Sequence, residues 1–269
     1  MAEKSLIAWT DNTFNPWMGC HKVSQGCTNC YAETLITKRM GKPGLWGANG
    51  VRQRTKGPWT KVPRWNKEAR DRGAPLRVFT ASLADVFEDY PGPNEWRDDL
   101  WDLIRDNHWL DFQLLTKRPE NLERMLPEDW GEGWPNVWLG TSIEDNRVVE
   151  RATLLTSVPA IVHFVSYEPA IGPVDELDLT DIEWLICGGE SGPGYRPMDL
   201  QWARDIQLRC AVWETAFFFK QNAAPRTEMG IDALGAIYRD YPEGWDRART
   251  PEFRHREAAR GPLPESSFT

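Results

Sequence analysis

Residues 161–169 read Ile161-Val162-His163-Phe164-Val165-Ser166-Tyr167-Glu168-Pro169. An apolar, β-rich run ends abruptly in a hydroxyl, a phenol and a carboxylate. The run lacks strict alternation, as a parallel strand buried on both faces should. The same phrase recurs on either side. Upstream lie Leu76–Thr80 (LRVFT), Phe112–Thr116 (FQLLT) and Val137–Thr141 (VWLGT). Downstream lie Ile182–Cys187 (IEWLIC) and Ala216–Lys220 (AFFFK). A weaker seventh run falls at Ala8–Trp9 or Pro16–Met18. Segments of helical character separate them, at Asn94–Asn107, Pro119–Leu126, Asn146–Thr156 and Leu200–Glu214. This alternation predicts an α/β fold whose parallel sheet is a partial or closed (β/α) barrel with right-handed crossovers.

Each run ends in polar groups: Thr80 to Asp85, Thr116-Lys117-Arg118, Thr141-Ser142, Ser166-Tyr167-Glu168, Gly188-Gly189-Glu190 and Lys220-Gln221. Ligands of parallel α/β proteins gather at the carboxyl ends of strands. Six such endings predict a polar ring around a site.

The chain has 269 residues, 41% hydrophobic and 27% charged, with no long apolar run, so fibrous, disordered and membrane-spanning readings fall away. The N-terminus lacks the apolar core of a secretory signal, and the expected location is cytoplasmic. The net charge of −8 argues against a general nucleic-acid coat, but it is uneven. Lys38 to Arg72 holds eleven basic and two acidic residues, so this segment is +9 and the rest −17. Within it, residues 41–72 are expected to form a basic, Trp-containing insertion or lid. Arg52, Arg54, Lys56 and Trp59 would grip a nucleic acid or nucleotide, phosphates by charge and bases by stacking. The other reading is a solvated loop whose tryptophans pack on the barrel. Residues 1–239 are expected to form the barrel and 240–269 a polar, partly ordered tail.

Cys20, Cys27 and Cys30 follow the spacing C-x6-C-x2-C. Three thiolates on a short loop hold three corners of a [4Fe–4S] cube and leave one iron open. Zinc is the main competitor, with His21 as a fourth ligand, and three unrelated buried thiols the plain alternative. Cys187 and Cys210 read as small buried hydrophobes, and His163 as a satisfied core residue.

The motifs NPWMGC, GCTNCYAE, LADVFED, LLTKRP, WLGTSIED, SYEPAIGP, WLICGGESGPGYRPM and FFFKQ together resemble a phage-associated, radical-SAM-like family. The resemblance runs from about Ile7 to Gln221. It implies a radical-SAM-type barrel in which Cys20, Cys27 and Cys30 bind a [4Fe–4S] cluster. It implies reductive cleavage of S-adenosylmethionine and hydrogen abstraction from a substrate, here expected to be a nucleic-acid base or nucleotide. It also implies an electron donor of flavodoxin or ferredoxin type, and a genomically adjacent partner protein is a further expectation. The sequence departs from the superfamily pattern in three places. The usual cysteine spacing is C-x3-C-x2-C, the usual aromatic precedes the third cysteine whereas Tyr31 follows it, and Gly188-Gly189-Glu190 comes far downstream.

Against this background Lys117, Glu168 and Glu190 are the catalytic candidates. Tyr31, Ser82, Asp85, Thr141, Ser142 and Lys220 are the cofactor-binding candidates. Each has a plain alternative. Ser82, Asp85, Thr141 and Ser142 suit helix caps, Lys117 a solvated pair with Arg118, and Glu190 a glycine-rich turn. Three function classes follow: a radical SAM enzyme, a zinc- or cluster-containing nucleic-acid-binding module, and a degenerate barrel that senses redox state.

Overall fold

A computed structural model describes residues 5–242. Its strands are β1 (Asn12–Phe14), β2 (Trp17–Met18), β3 (Gln53–Arg54), β4 (Leu76–Thr80), β5 (Leu110–Thr116), β6 (Val137–Ser142), β7 (Val162–Tyr167), β8 (Trp184–Gly188) and β9 (Ala216–Gln221). Its α-helices are α1 (Tyr31–Thr34), α2 (Gly57–Arg72), α3 (Pro91–Asp106), α4 (Leu122–Met125), α5 (Glu150–Thr156) and α6 (Leu200–Trp213).

Seven strands form one sheet in the order β1-β4-β5-β6-β7-β8-β9, and every pairing is parallel. The order never reverses. Right-handed crossovers then place the helices on one face. The opposite face has no helical layer to bury it, so the sheet curls on itself. Its end strands β1 and β9 do not pair with each other. The result is an α/β partial barrel.

Strand alternation sorts the core into two layers. Val78, Phe112, Leu114, Leu139, Val165, Leu185 and Phe219 join one cluster with helix residues such as Leu100, Ile104, Leu155 and Ile206. The concave face carries Phe79, Trp138, Phe164, Trp184, Ile186 and Phe218, closed by Trp9. Trp9 meets Phe79 at 4.6 Å and Trp184 at 6.0 Å between ring centroids. Gly140 lies among these residues because a Cβ there would stand 2.3 Å from the Phe164 ring. At the carboxyl ends the same face turns small and polar: Ser142, Ser166, Gly188 and Lys220. The aromatic plug therefore stops short of the strand ends.

The structure corrects three expectations. The seventh strand is Asn12–Phe14, between the two proposed segments. Trp17–Met18 instead pairs with Gln53–Arg54 in a small antiparallel ribbon. Residues 57–72 of the expected 41–72 insertion form the first crossover helix. Its Val62, Trp65 and Ala69 are buried on helical spacing, Pro58 suits the first turn, and Pro63 disguised the periodicity. The connection from β7 to β8 contains no helix. Of the expected tail, 243–269 lies outside the described residues. Asp240 and Tyr241 are anchored, with the Trp184 indole donating to the Asp240 carbonyl at 2.9 Å. No helix among the described residues is long and apolar enough to cross a membrane.

Candidate functional site

The cysteine loop connects β2 to α1 and lies across the carboxyl ends of the parallel strands. Its course depends on two glycines. Gly19 has a φ of +112°, in the region that side chains avoid. At Gly26 a Cβ would stand 2.4 Å from the Glu144 carboxylate, so only glycine brings the loop this close to the end of β6. Ser24 Oγ then donates to Glu144 Oε1 at 2.9 Å.

Below Cys20 lies a buried charge network. Arg118, just past β5, donates from Nη1 to Cys20 Sγ at 3.6 Å and from Nη2 to the His21 carbonyl at 3.0 Å. Nη1 also reaches Asp85 Oδ2 at 2.8 Å. Asp85 accepts further bonds from Thr116 Oγ1 and the Lys117 amide. Glu88 is fully buried and receives two bonds of 2.7 Å from Arg52. His21 Nδ1 lies 2.6 Å from Glu88 Oε1, the oxygen that also accepts from Arg52 Nη2. Burial pushes the Cys20 thiol up to about 12, while the Arg118 charge pulls the other way. Burial likewise raises the Cys30 thiol.

Over the Cys27–Cys30 half, the loop after β8 supplies the contacts. Glu190 accepts from Arg196 Nη2 at 2.6 Å, Arg196 Nε at 3.1 Å and the Arg196 amide at 2.8 Å. Asn29 Nδ2 donates to Glu190 Oε2 at 2.9 Å. Burial raises the Glu190 carboxyl, but the bonds from Arg196 and Asn29 outweigh it, and its pKa ends below the ordinary carboxylate value. A lowered acid pKa stabilises the fold above the unfolded value of about 4.3, and that stability is lost as pH falls through the folded value. Glu190→Gln is therefore expected to flatten the acid limb of the stability-versus-pH curve below about pH 4.5. Thermal denaturation of both chains at stepped pH checks this; parallel acid limbs would refute it.

Other expected site residues fall into two groups. Glu168 and Lys220 pair at 2.8 Å, part-buried at the ends of β7 and β9, with Ser166 Oγ donating to Glu168 Oε2 at 3.3 Å. Gly188 makes room for that carboxylate, since a Cβ there would stand 2.6 Å from Glu168 Oε1. Lys117 pairs with Glu144 at 3.1 Å, and Arg151 backs the same carboxylate. Ser142 shares the concave face with them. The second group lies away from this strand-end cluster. Thr141 lies on the helix side, fully buried, and donates to the Thr116 carbonyl. Ser82 Oγ bonds Asn15, and its carbonyl accepts from the half-exposed Tyr31 hydroxyl at 2.9 Å. Arg52 is not on the surface at all, because it neutralises Glu88. Arg54 is exposed and stacks over Trp59 at 4.3 Å while pairing with Asp99. Trp59 is part-buried and donates to the Pro16 carbonyl, and Lys56 is exposed. Cys187, Cys210 and His163 are buried as expected, His163 with Nε2 2.8 Å from the Val158 carbonyl.

Sequence reasoning missed Glu88, Arg196 and Asn29. LADVFED held Glu88, and GPGYRPM held Arg196. Their partners lie 36 and up to 171 residues away, a pairing no local pattern encodes.

A family profile described as a protein of unknown function, DUF5131, matches residues 4–247. The chain belongs to this family. No curated protein matches it. Among solved structures it is similar to a spore photoproduct lyase variant with bound AdoMet and dinucleoside spore photoproduct. That match has a TM-score of 0.43 and 11% identity, covering 73% of this chain and 60% of the other. A second variant of that lyase matches at a TM-score of 0.40 and 10% identity, over 72% and 59%. The chain thus spans about 60% of the length of the structures it matches.

All three loop cysteines are free thiols. Among the described residues no three or more His, Cys, Asp or Glu side chains are already gathered as a metal site. The donor chemistry nevertheless fits an iron–sulfur cluster. Three thiols share one loop, Arg118 bonds the Cys20 sulfur, and the Lys117 charge favours the Cys30 thiolate. Such cations offset the charge of thiolates in a partly dry site.

Proposed function

We propose that the chain is an iron–sulfur enzyme of radical SAM type in which Cys20, Cys27 and Cys30 hold a [4Fe–4S] cluster. The observation that carries this reading is the position of the cysteine loop, laid across the carboxyl ends of a parallel partial barrel where ligands of such folds bind. When bound, the cluster would supply the electron that cleaves S-adenosylmethionine and so starts hydrogen abstraction.

The chain's own residues bind, orient and exclude water. Arg118 and Lys117 offset thiolate charge at Cys20 and Cys30. Glu168 and Lys220 are strand-end charges with no hydrogen bond or ion pair to the cysteine loop among the described residues. They are the pair best placed to receive the polar groups of cofactor and substrate, with Glu168 and Lys117 the groups that hold or move a proton. Ser142 and Ser166 keep the concave face open beside them. The proposed substrate is a nucleic-acid base or nucleotide, a reading supported by the exposed Arg54 and Lys56 beside Trp59. Electrons would come from a flavodoxin- or ferredoxin-type donor, and free cysteines suit a reducing compartment.

Reconstituted protein reduced with dithionite is expected to convert S-adenosylmethionine to 5′-deoxyadenosine and methionine. Intact S-adenosylmethionine after reduction of a confirmed cluster would contradict the reading.

A further inference from the structure

The loop after β8 does more than form a glycine-rich turn. Its Arg196 faces two ways. One edge of the guanidinium is bonded to Glu190, and Nη1 donates to the Gln25 carbonyl at 3.0 Å. Asn29 is held equally firmly, by Glu190 Oε2 at 2.9 Å and by the Gly194 carbonyl at 3.1 Å. Gln25 lies two residues before Cys27, and Asn29 lies directly before Cys30. The two gripped residues thus bracket Cys27, and Asn29 lies inside the C-x2-C pair. Glu190 is 6% exposed, and its carboxylate hydrogen bonds among the described residues go to Arg196 and Asn29, so those oxygens are spent on the loop and not turned to a ligand. Cys20 and His21 are held by different residues: Arg118 bonds the Cys20 sulfur and the His21 carbonyl, and Glu88 bonds the His21 ring.

We infer that Glu190 and Arg196 are positioning residues, a clasp that sets the Cys27–Cys30 half of the cysteine loop independently of the Cys20 half. Glu190 is thereby moved from the catalytic candidates to a supporting role, acting through Asn29 and, by way of Arg196, through Gln25. The functional consequence rests on Cys27 and Cys30 being cluster ligands. The clasp itself does not.

The test is segment-resolved amide hydrogen exchange on the full chain as purified, before any reconstitution. The Cys27 and Thr28 amides donate to the Ser24 and Gln25 carbonyls and report opening of this half. The Gly19 amide donates to the Leu83 carbonyl, and the Gly47 amide to the Cys20 carbonyl. These two report on the other half. Charge-assisted bonds of this kind hold local opening back by roughly 10- to 100-fold. Arg196→Gln is expected to speed exchange over 25–30 by that factor and leave the Gly19 and Gly47 amides unchanged. Arg118→Gln is expected to do the reverse. Arg196→Lys, which keeps the charge but cannot span Glu190 and Gln25 together, should fall between. Unchanged exchange over 25–30 in Arg196→Gln, or equal acceleration of both halves, would overturn the clasp. If Arg196→Gln folds poorly, Glu190→Gln gives the same segmental comparison. On reconstituted protein, Arg196→Gln should also release iron to a chelator faster than the parent. A parent that never takes up iron defeats the cluster reading while the exchange pattern still decides the clasp.

Discussion

Cys27→Ala is expected to reduce cluster iron from about four atoms per chain to near none, with loss of the visible absorbance. Three thiolates are the minimum donor set for an open-iron cube, and a three-cysteine loop has no spare. The described residues offer no nearby replacement, since Cys187 and Cys210 are buried at 0% and 1% exposure within the helix-facing core. Burial raises both of their thiols, which suits inert packing and not ligation. Cys210→Ala is therefore the matched control and should keep its iron. Iron analysis and the absorption spectrum of both variants after anaerobic reconstitution decide the point. Full iron in Cys27→Ala would remove that residue from the ligand set.

The second large effect is on stability. Arg52→Ala is expected to cost about 3–5 kcal/mol. The side chains of Arg52 and Glu88 are both fully inaccessible, so removing the cation strands a carboxylate away from water. A buried ion pair is not strongly stabilising against an apolar pair, but breaking one from a single side is expensive. At roughly 2–4 °C per kcal/mol for a chain of this size, the melting temperature should fall by about 6–20 °C. Arg54→Ala is the contrast. Its pair with Asp99 is exposed on both sides, and such pairs contribute about 0–1 kcal/mol. Equal melting temperatures for Arg52→Ala and the parent would show that the remaining neighbours of Glu88, His21 at 2.6 Å and Arg118 at 3.5 Å, suffice for it.

This contrast marks what the sequence can and cannot disclose. The parallel strands are legible because each is a compact β-rich run with a polar end, and most observed boundaries differ from the expected ones by one or two residues. The sheet order follows from chain order once all crossovers share one hand. The cysteine loop is legible from spacing alone. Arg52 is not, because composition counts charge without saying where it points. A basic run reads as surface, yet this member of it turns inward to meet Glu88, 36 residues downstream. Helix α2 is hidden by Pro63, although Val62, Trp65 and Ala69 keep helical spacing. Thr141 and Ser142 were separable in principle. Adjacent strand residues face opposite sides, and Trp138 marks the concave side that Ser142 shares and Thr141 does not. Arg196 had no local signal, since its role appears only when the loop after β8 meets the cysteine loop.

The measurement closest to the central claim is the iron, acid-labile sulfide and zinc content of anaerobically purified protein, followed by EPR of the reduced chain with and without S-adenosylmethionine. About four irons and four sulfides per chain, with a signal that S-adenosylmethionine perturbs, is the predicted result. Stoichiometric zinc without iron, reproduced after attempted reconstitution, would contradict it and make the cysteine loop a zinc site.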